Sequence, residues 1–333
     1  MKIAILGAGS FGSALSFVAE KNAEELRIWS HSEDVVRDIH THCQNSVYLP
    51  GINLPNKLRA SHKLSEVLEN ADIVFSVIPT QATREVWLKA REFLPNSARI
   101  IIASKGIEIK SNQFLSDVML ETLGEESRNR LFFLSGPSFA REIAEKKPTA
   151  VTIAGFHKEG ISHLQSILFS EFIRTYGTSD VTGVQLGGAL KNVIAIAVGV
   201  SDGLGMGNNS RAALITRGLA EMARLGKVMG ADPLTFMGLA GLGDLVLTCT
   251  GELSRNRSLG LKIGQGFSLE EIQSNMRMIA EGVTTTISAY KLSQEKLVSM
   301  PITEGVYSVL YEKRQPSEMI SILMNRQMKF END

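Results

Sequence analysis

Short β-branched runs alternate with longer amphipathic stretches over the first 180 residues, the pattern of parallel strand–helix–strand units. The runs are Lys2–Leu6, Leu26–Trp29, Ile73–Val77, Arg99–Ala103, Leu131–Leu134 and Ala150–Ile153, and Phe172–Tyr176 offers one more. From about Thr178 the apolar positions recur with a helical period and the segment ends carry capping chemistry. Asn209 or Ser210 is placed to cap a helix running to Gly230. Asp232 and Pro233 read as an N-cap followed by proline at the first helical position. Ser268 and Glu271 form a capping box, and Pro316 to Glu318 open a last helix. The pattern predicts an α/β domain with a doubly wound, mostly parallel sheet over residues 1–180, then an all-α domain over 181–333.

Composition narrows the class. Lysine plus arginine equals aspartate plus glutamate, 35 against 35, so no bulk field selects nucleic acid or a membrane surface. An anionic partner must be captured by a local site. Cys43 and Cys249 have no metal-type spacing and do not suggest a disulfide framework, which fits a reducing compartment. His40, His42 and Cys43 are too closely spaced for a zinc site and no second ligand pair follows. The longest uninterrupted apolar run, VIAIAVGV, falls far short of a membrane span, and no signal peptide opens the chain. The expectation is a soluble cytoplasmic protein without membrane insertion. All six histidines lie in the first half, so a proton-transferring base from the second half must be a lysine or a carboxylate.

One motif joins strand to helix. Gly7, Gly9 and Gly12 form G-x-G-x-x-G directly after KIAIL and before an amphipathic segment, the context in which this pattern signals a Rossmann-like dinucleotide site. Gly7 permits the tight turn, Gly9 lets backbone approach a pyrophosphate, and Gly12 lets helix pack on strand. An NAD site places an acidic residue at the end of the second strand. Here LRIW runs into Ser30 and His31, with Glu33 and Asp34 only later. That end tolerates a 2′-phosphate, so NADP(H) is as admissible as NAD(H), with His31 a candidate contact.

Further segments mix polar residues with glycine. Lys105 emerges at the carboxyl end of a predicted strand, where α/β sheets bind ligands, and the loop Ser135–Ala140 does the same after the next strand. Residues 241–260 hold Asp244, Thr248, Ser254, Arg255 and Asn256, in which Arg255 and Asn256 suit a phosphate clamp. Asp244 equally suits a helix cap, and Arg255 a surface ion pair. Lys191 stands on an apolar helical face, with Gly187 and Gly188 one turn before it, Ile194 and Ala195 one turn after, and Asn192 beside it. Such a lysine either snorkels to water or is held for chemistry, the two glycines leaving room for substrate.

Taken together, GAGSFG, ASKGIE, SGPSFAREIA, GALKNVIAIAVGVSDGLGMGNNSRAALITRGLAEM, GLAGLGDLVLTCTGELSRNRSLG and AEGVTT resemble the bacterial-type NAD(P)-dependent sn-glycerol-3-phosphate dehydrogenases, in order and spacing over nearly the whole chain. The resemblance implies a Rossmann-like domain followed by a helical domain, usually in a homodimer, and reversible hydride transfer between sn-glycerol 3-phosphate and dihydroxyacetone phosphate in support of phospholipid synthesis. It implies that Lys191 donates and accepts the proton, with Lys105 and Asp244 beside it. Gly136, Ser138, Asn192, Thr248, Ser254, Arg255 and Asn256 join Lys105, Lys191 and Asp244 in the substrate site. Ser10, Phe11, His31, Ala140, Ile279 and Glu281 are implied cofactor contacts, with Lys105 and Arg255 also near the cofactor. Phe11 stands where tryptophan or tyrosine is more usual, keeping an aromatic surface without a polar tip. Two other readings stay open: a ketopantoate or hydroxyacid reductase of the same two-domain plan, and a non-catalytic NADP(H) sensor, which would have no use for the two lysines and Asp244 together.

Overall fold

The computed structural model describes residues 1–274, 280–328 and 330–331. Among the described residues ten strands form: β1 Lys2–Leu6, β2 Glu25–Trp29, β3 Leu58–Ser61, β4 Ile73–Ser76, β5 Arg99–Ile102, β6 Ile107–Glu108, β7 Gln113–Phe114, β8 Leu131–Ser135, β9 Thr149–Gly155 and β10 Ile173–Thr178. Eight of them make one sheet in the order β10-β9-β8-β5-β4-β1-β2-β3, while β6 and β7 form a small hairpin. The sheet is parallel except where β8 meets β9. β1 is central, pairing Ile5 with Ile28 on one side and with Phe75 on the other. Strand order reverses there, which opens the crevice at the carboxyl ends where doubly wound sheets bind ligands.

β3 has no counterpart in the apolar pattern. It is a four-residue edge strand, Leu58-Arg59-Ala60-Ser61, with Leu58 and Ala60 buried and Arg59 exposed. Short length and outward charge protect a sheet edge from unwanted pairing, and they also hide the strand in the sequence.

After β10 the chain is helical. Val181–Gly203 is long and apolar enough to cross a membrane by length and composition, but 83% of that window is buried inside the fold. It is the core helix of the second half. Asp180 caps it, accepting from the Gly183 N–H at 2.8 Å, and its other oxygen accepts from the Asp232 N–H at 3.0 Å. Asp232 in turn caps Pro233–Met237, and the Ser268–Glu271 capping box closes reciprocally. The next long helix starts at Gly207, ahead of Asn209 and Ser210, without a side-chain cap. Asn208 accepts from Arg211 instead, at 3.1 Å.

Helix Arg255–Gly264 crosses Val181–Gly203 at backbone contact. A Cβ on Gly199 would lie 2.1 Å from the Arg257 carbonyl oxygen, and one on Gly203 would lie 2.3 Å from that of Leu261. From the other side, Gly260 would meet Ile196 O at 2.1 Å and Gly264 would meet Val200 O at 2.3 Å. Two glycines on each helix therefore bring backbone against backbone at the crossing. This places the two segments richest in candidate chemistry against one another.

Candidate active site

The glycine turn between β1 and helix Ser10–Ala19 has the shape its spacing demands. Gly7 takes φ +115°, a left-handed conformation that L side chains rarely adopt, and a Cβ there would sit 2.6 Å from Val77 O. A Cβ on Gly12 would lie 1.9 Å from Gly7 O, whereas Gly9 faces open space. Open backbone at Gly9 beside a helix N-terminus fits a pyrophosphate. Ser10 Oγ donates to Tyr48 O at 2.6 Å, fixing the first helical residue, and Phe11 is half-buried against the core.

At the end of β2, Ser30 is buried and His31 exposed, and Glu33 and Asp34 lie in the first turn of the helix capped by Ser32. The strand end thus carries no carboxylate. His40 and His42 have local partners: His40 Nε2 accepts from the Ala60 N–H at 3.2 Å, and His42 Nδ1 lies 3.0 Å from Asp38. Cys43 ends their helix in a left-handed conformation, φ 52°.

Three charged side chains meet where the crevice faces the helical half. Lys191 Nζ donates to Asp244 Oδ1 at 2.5 Å and to Thr248 Oγ1 at 2.9 Å. Lys105 Nζ donates to Asp244 Oδ2 at 2.6 Å and to Gly136 O at 3.3 Å. Asp244 opens helix Asp244–Thr250, directly after a π-helical turn, Leu239–Gly243. Gly187 admits that turn, since a Cβ there would lie 2.5 Å from Ala240 O. The two glycines before Lys191 therefore do not both clear space for substrate. Gly187 is filled by the π turn, and Gly188 faces Ser135 and the Lys105 stem.

Lys191 is 7% exposed and Asp244 1%. Burial lowers the Lys191 ammonium to about 8, with the Lys105 charge acting in the same direction and Asp244 opposing. Burial pushes the Asp244 carboxyl up, but the two ammoniums outweigh it and hold it below the usual carboxylate range. The site therefore pairs a stable anion with a lysine able to exchange its proton near neutrality.

The remaining candidates surround this cluster. Ser138 Oγ donates to Gly136 O at 2.9 Å, and Gly136 itself holds φ +127°. Ala140 starts a short helix after that loop. Ser254 caps Arg255–Gly264, accepting from the Arg257 N–H at 3.3 Å, which leaves Arg255 exposed at the helix start. Asn256 differs from a simple clamp partner of Arg255. Its Nδ2 donates to Asn192 Oδ1 at 2.9 Å and its Oδ1 accepts from the Gly282 N–H at 3.0 Å. It ties the neighbour of Lys191 to the neighbour of Glu281. Burial raises the Glu281 carboxyl, opposed by the Arg255 charge and the Thr80 N–H it accepts from. Ile279 lies outside the described residues.

One residue in this region was not marked by the sequence. Thr80, at the carboxyl end beyond β4, donates its N–H to Glu281, while Ser135, which opens the marked loop, ends β8 with its hydroxyl buried beside Lys105 and Gly188. Thr80 has no charged or glycine-rich neighbourhood that sets it apart from ordinary strand-end residues; the available signal was position at a carboxyl end.

Comparison with known proteins gives a consistent outcome. The family described as NAD-dependent glycerol-3-phosphate dehydrogenase N-terminus matches residues 2–160, and the corresponding C-terminus matches residues 180–321. The chain is 49% identical over 330 residues to a glycerol-3-phosphate dehydrogenase [NAD(P)+] of Citrifermentans bemidjiense, covering 99% of this chain and 98% of that one. It is 48% identical over 333 residues to a protein of the same name from Syntrophotalea carbinolica, covering 100% of both. The crystal structure of a glycerol-3-phosphate dehydrogenase from Coxiella burnetii superposes with a TM-score of 0.92 at 39% identity, covering 97% of this chain and 98% of that one.

Proposed function

The chain belongs to the NAD-dependent glycerol-3-phosphate dehydrogenase family, and from that premise we propose how its residues divide the work. It is an NAD(P)-dependent oxidoreductase that interconverts sn-glycerol 3-phosphate and dihydroxyacetone phosphate, supplying the former for phospholipid synthesis. The observation that carries the assignment of roles is the single buried carboxylate of Asp244 held between Lys191 and Lys105 at the mouth of the crevice.

The bound nicotinamide nucleotide supplies or accepts the hydride. Gly7, Gly9, Ser10, Phe11 and Gly12 form the platform for its pyrophosphate end, with His31 near the adenosine ribose and Ala140 and Glu281 along its length. Ile279 belongs to the same group by resemblance. The carboxylate-free end of β2 supports acceptance of a 2′-phosphate.

Lys191 gives its proton to the C2 oxygen as the ketone is reduced and takes it back during oxidation. Its lowered proton affinity makes both directions accessible. Asp244 aims the ammonium and stays ionised, offsetting one of the two lysine charges. Lys105 adds positive charge where the alkoxide develops. Arg255 takes the phosphate oxygens with its planar fork. Asn256 and Asn192 hold the Arg255 and Lys191 helices together and keep one amide N–H of Asn256 for substrate. Gly136, Ser138, Thr248 and Ser254 complete the rim.

Cytoplasmic location and a homodimer complete the reading; light scattering of the purified chain tests the latter. The activity is tested by following NADPH and NADH absorbance with dihydroxyacetone phosphate. Consumption dependent on the phosphorylated ketone supports the reading, and tight nucleotide binding without turnover overturns it in favour of a sensor.

A further inference from the structure

The stretch GMGNNSRAAL has no part in the chemistry derived above, yet its arginine reaches the last turn of the Lys191 helix. Arg211 Nε and a terminal nitrogen lie 3.0 and 2.9 Å from Asp202 Oδ1. Arg257 grips the other oxygen, Oδ2, with Nε at 2.9 Å and a terminal nitrogen at 2.7 Å. One carboxylate, its side chain 5% exposed, is thus forked by two guanidiniums from two other helices. Both lone-pair faces are used, the geometry in which arginine differs most from lysine.

The location gives this cluster its meaning. Asp202 lies in the last turn of the Lys191 helix, and Arg257 lies in the first turn of the Arg255 helix. Arg257 also lies at the close approach of the two backbones, its carbonyl 2.1 Å from the position a Cβ on Gly199 would take. The same turn is held by the Ser254 cap and by Asn256 between Asn192 and Gly282. A glycine crossing allows close approach but leaves rotation and sliding to be fixed by side chains beside it, among them the Asn256–Asn192 pair. The Asp202 forks add to that constraint at the other end of the crossing, and Arg211, held by Asn208, ties it to the start of Gly207–Val228.

We infer that Asp202, through Arg257 and braced by Arg211, is a positioning residue for Arg255, fixing the direction of the guanidinium that receives the substrate phosphate. The inference rests on the role proposed above for Arg255. Because Asp202 touches neither Lys191 nor Asp244 in the structure, its loss acts on phosphate capture and not on proton transfer.

Asp202→Asn keeps the shape and removes the charge. Its expected effect is a roughly tenfold rise in KM for dihydroxyacetone phosphate, with kcat and the KM for NADPH within about twofold of the parent. In an Arg255→Ala background the same substitution adds nothing to KM. Arg257→Lys, which keeps charge but loses the fork, reproduces the KM effect and covers the case in which Asp202→Asn does not fold. An unchanged KM in both variants overturns the inference, as does an additive effect in the double variant. A parallel loss of kcat and both KM values together with Tm also overturns it, because that is general loosening. Absence of turnover by the parent chain with dihydroxyacetone phosphate instead overturns the functional reading itself.

Discussion

Lys191 and Lys105 share one carboxylate, Asp244, at 2.5 and 2.6 Å, although they come from opposite halves of the chain. Removing the shared anion leaves two ammoniums facing one another in a buried site. Asp244→Asn is therefore expected to lower turnover by on the order of 10²–10⁴, the range for loss of a well-placed proton-transfer group. It also moves the Lys191 proton affinity further down, because the Asp244 charge now raises it. A pH profile of the residual activity checks this: the limb must move to lower pH.

The unmodified chain has its own pH signature. Lys191 is lowered from 10.5 to about 8, so it is protonated below that value and neutral above it. Ketone reduction needs the protonated form and is expected to decline as pH rises through about 8. Alcohol oxidation needs the neutral form and rises over the same interval. Measuring kcat in both directions from neutral to alkaline pH tests the pair, and limbs moving the same way contradict it.

Lys191→Ala separates chemistry from nucleotide binding. Turnover should fall by roughly 10²–10⁴, while NADPH dissociation followed by fluorescence stays within about twofold. Weakened NADPH binding of similar size would mean that Lys191 supports the cofactor platform.

Arg255→Ala tests the phosphate contact. A charge-assisted hydrogen-bonded pair contributes about 1.5–3 kcal/mol, so KM for dihydroxyacetone phosphate should rise roughly 10- to 100-fold. Arg255→Lys should recover only part of this, because the ammonium keeps the charge without the fork.

Gly260→Ala addresses stability. Its added methyl would sit 2.1 Å from the Ile196 carbonyl oxygen, a backbone atom that moves only with its helix. Overpacking of this kind costs about 1–3 kcal/mol, and backbone contact places this case at the upper end. Thermal unfolding reads the loss directly, and a Tm equal to that of the parent would mean the crossing is looser than drawn.

Much of this was legible in the residues, for identifiable reasons. Strands buried on both faces write unbroken apolar runs, so β1, β4 and β5 stand out. Edge strand β3 does not, because an edge is kept short and charged. G-x-G-x-x-G and Lys105 announced the crevice, since glycine at fixed spacing has few other uses after a strand. What stayed hidden depends on contacts distant in sequence. No local pattern says that Asp244 divides its two oxygens between Lys191 and Lys105, or that Gly187 serves a π turn some fifty residues on. Nor does the place of Asn256 beside Arg255 reveal that its amide also bonds Asn192 and Gly282.

The glycine crossing also bears on which molecules the enzyme can accept. Where side chains separate two helices, a longer ligand can be admitted by a change of rotamer. Here carbonyl oxygens set the spacing between the helix of Lys191 and that of Arg255. On the roles proposed for Lys191 and Arg255, the crossing is a ruler between the reacting carbonyl and the phosphate. On those roles a ketone with one more carbon between the two groups would have to displace a whole helix, which makes length, as well as charge, a basis for choosing substrate.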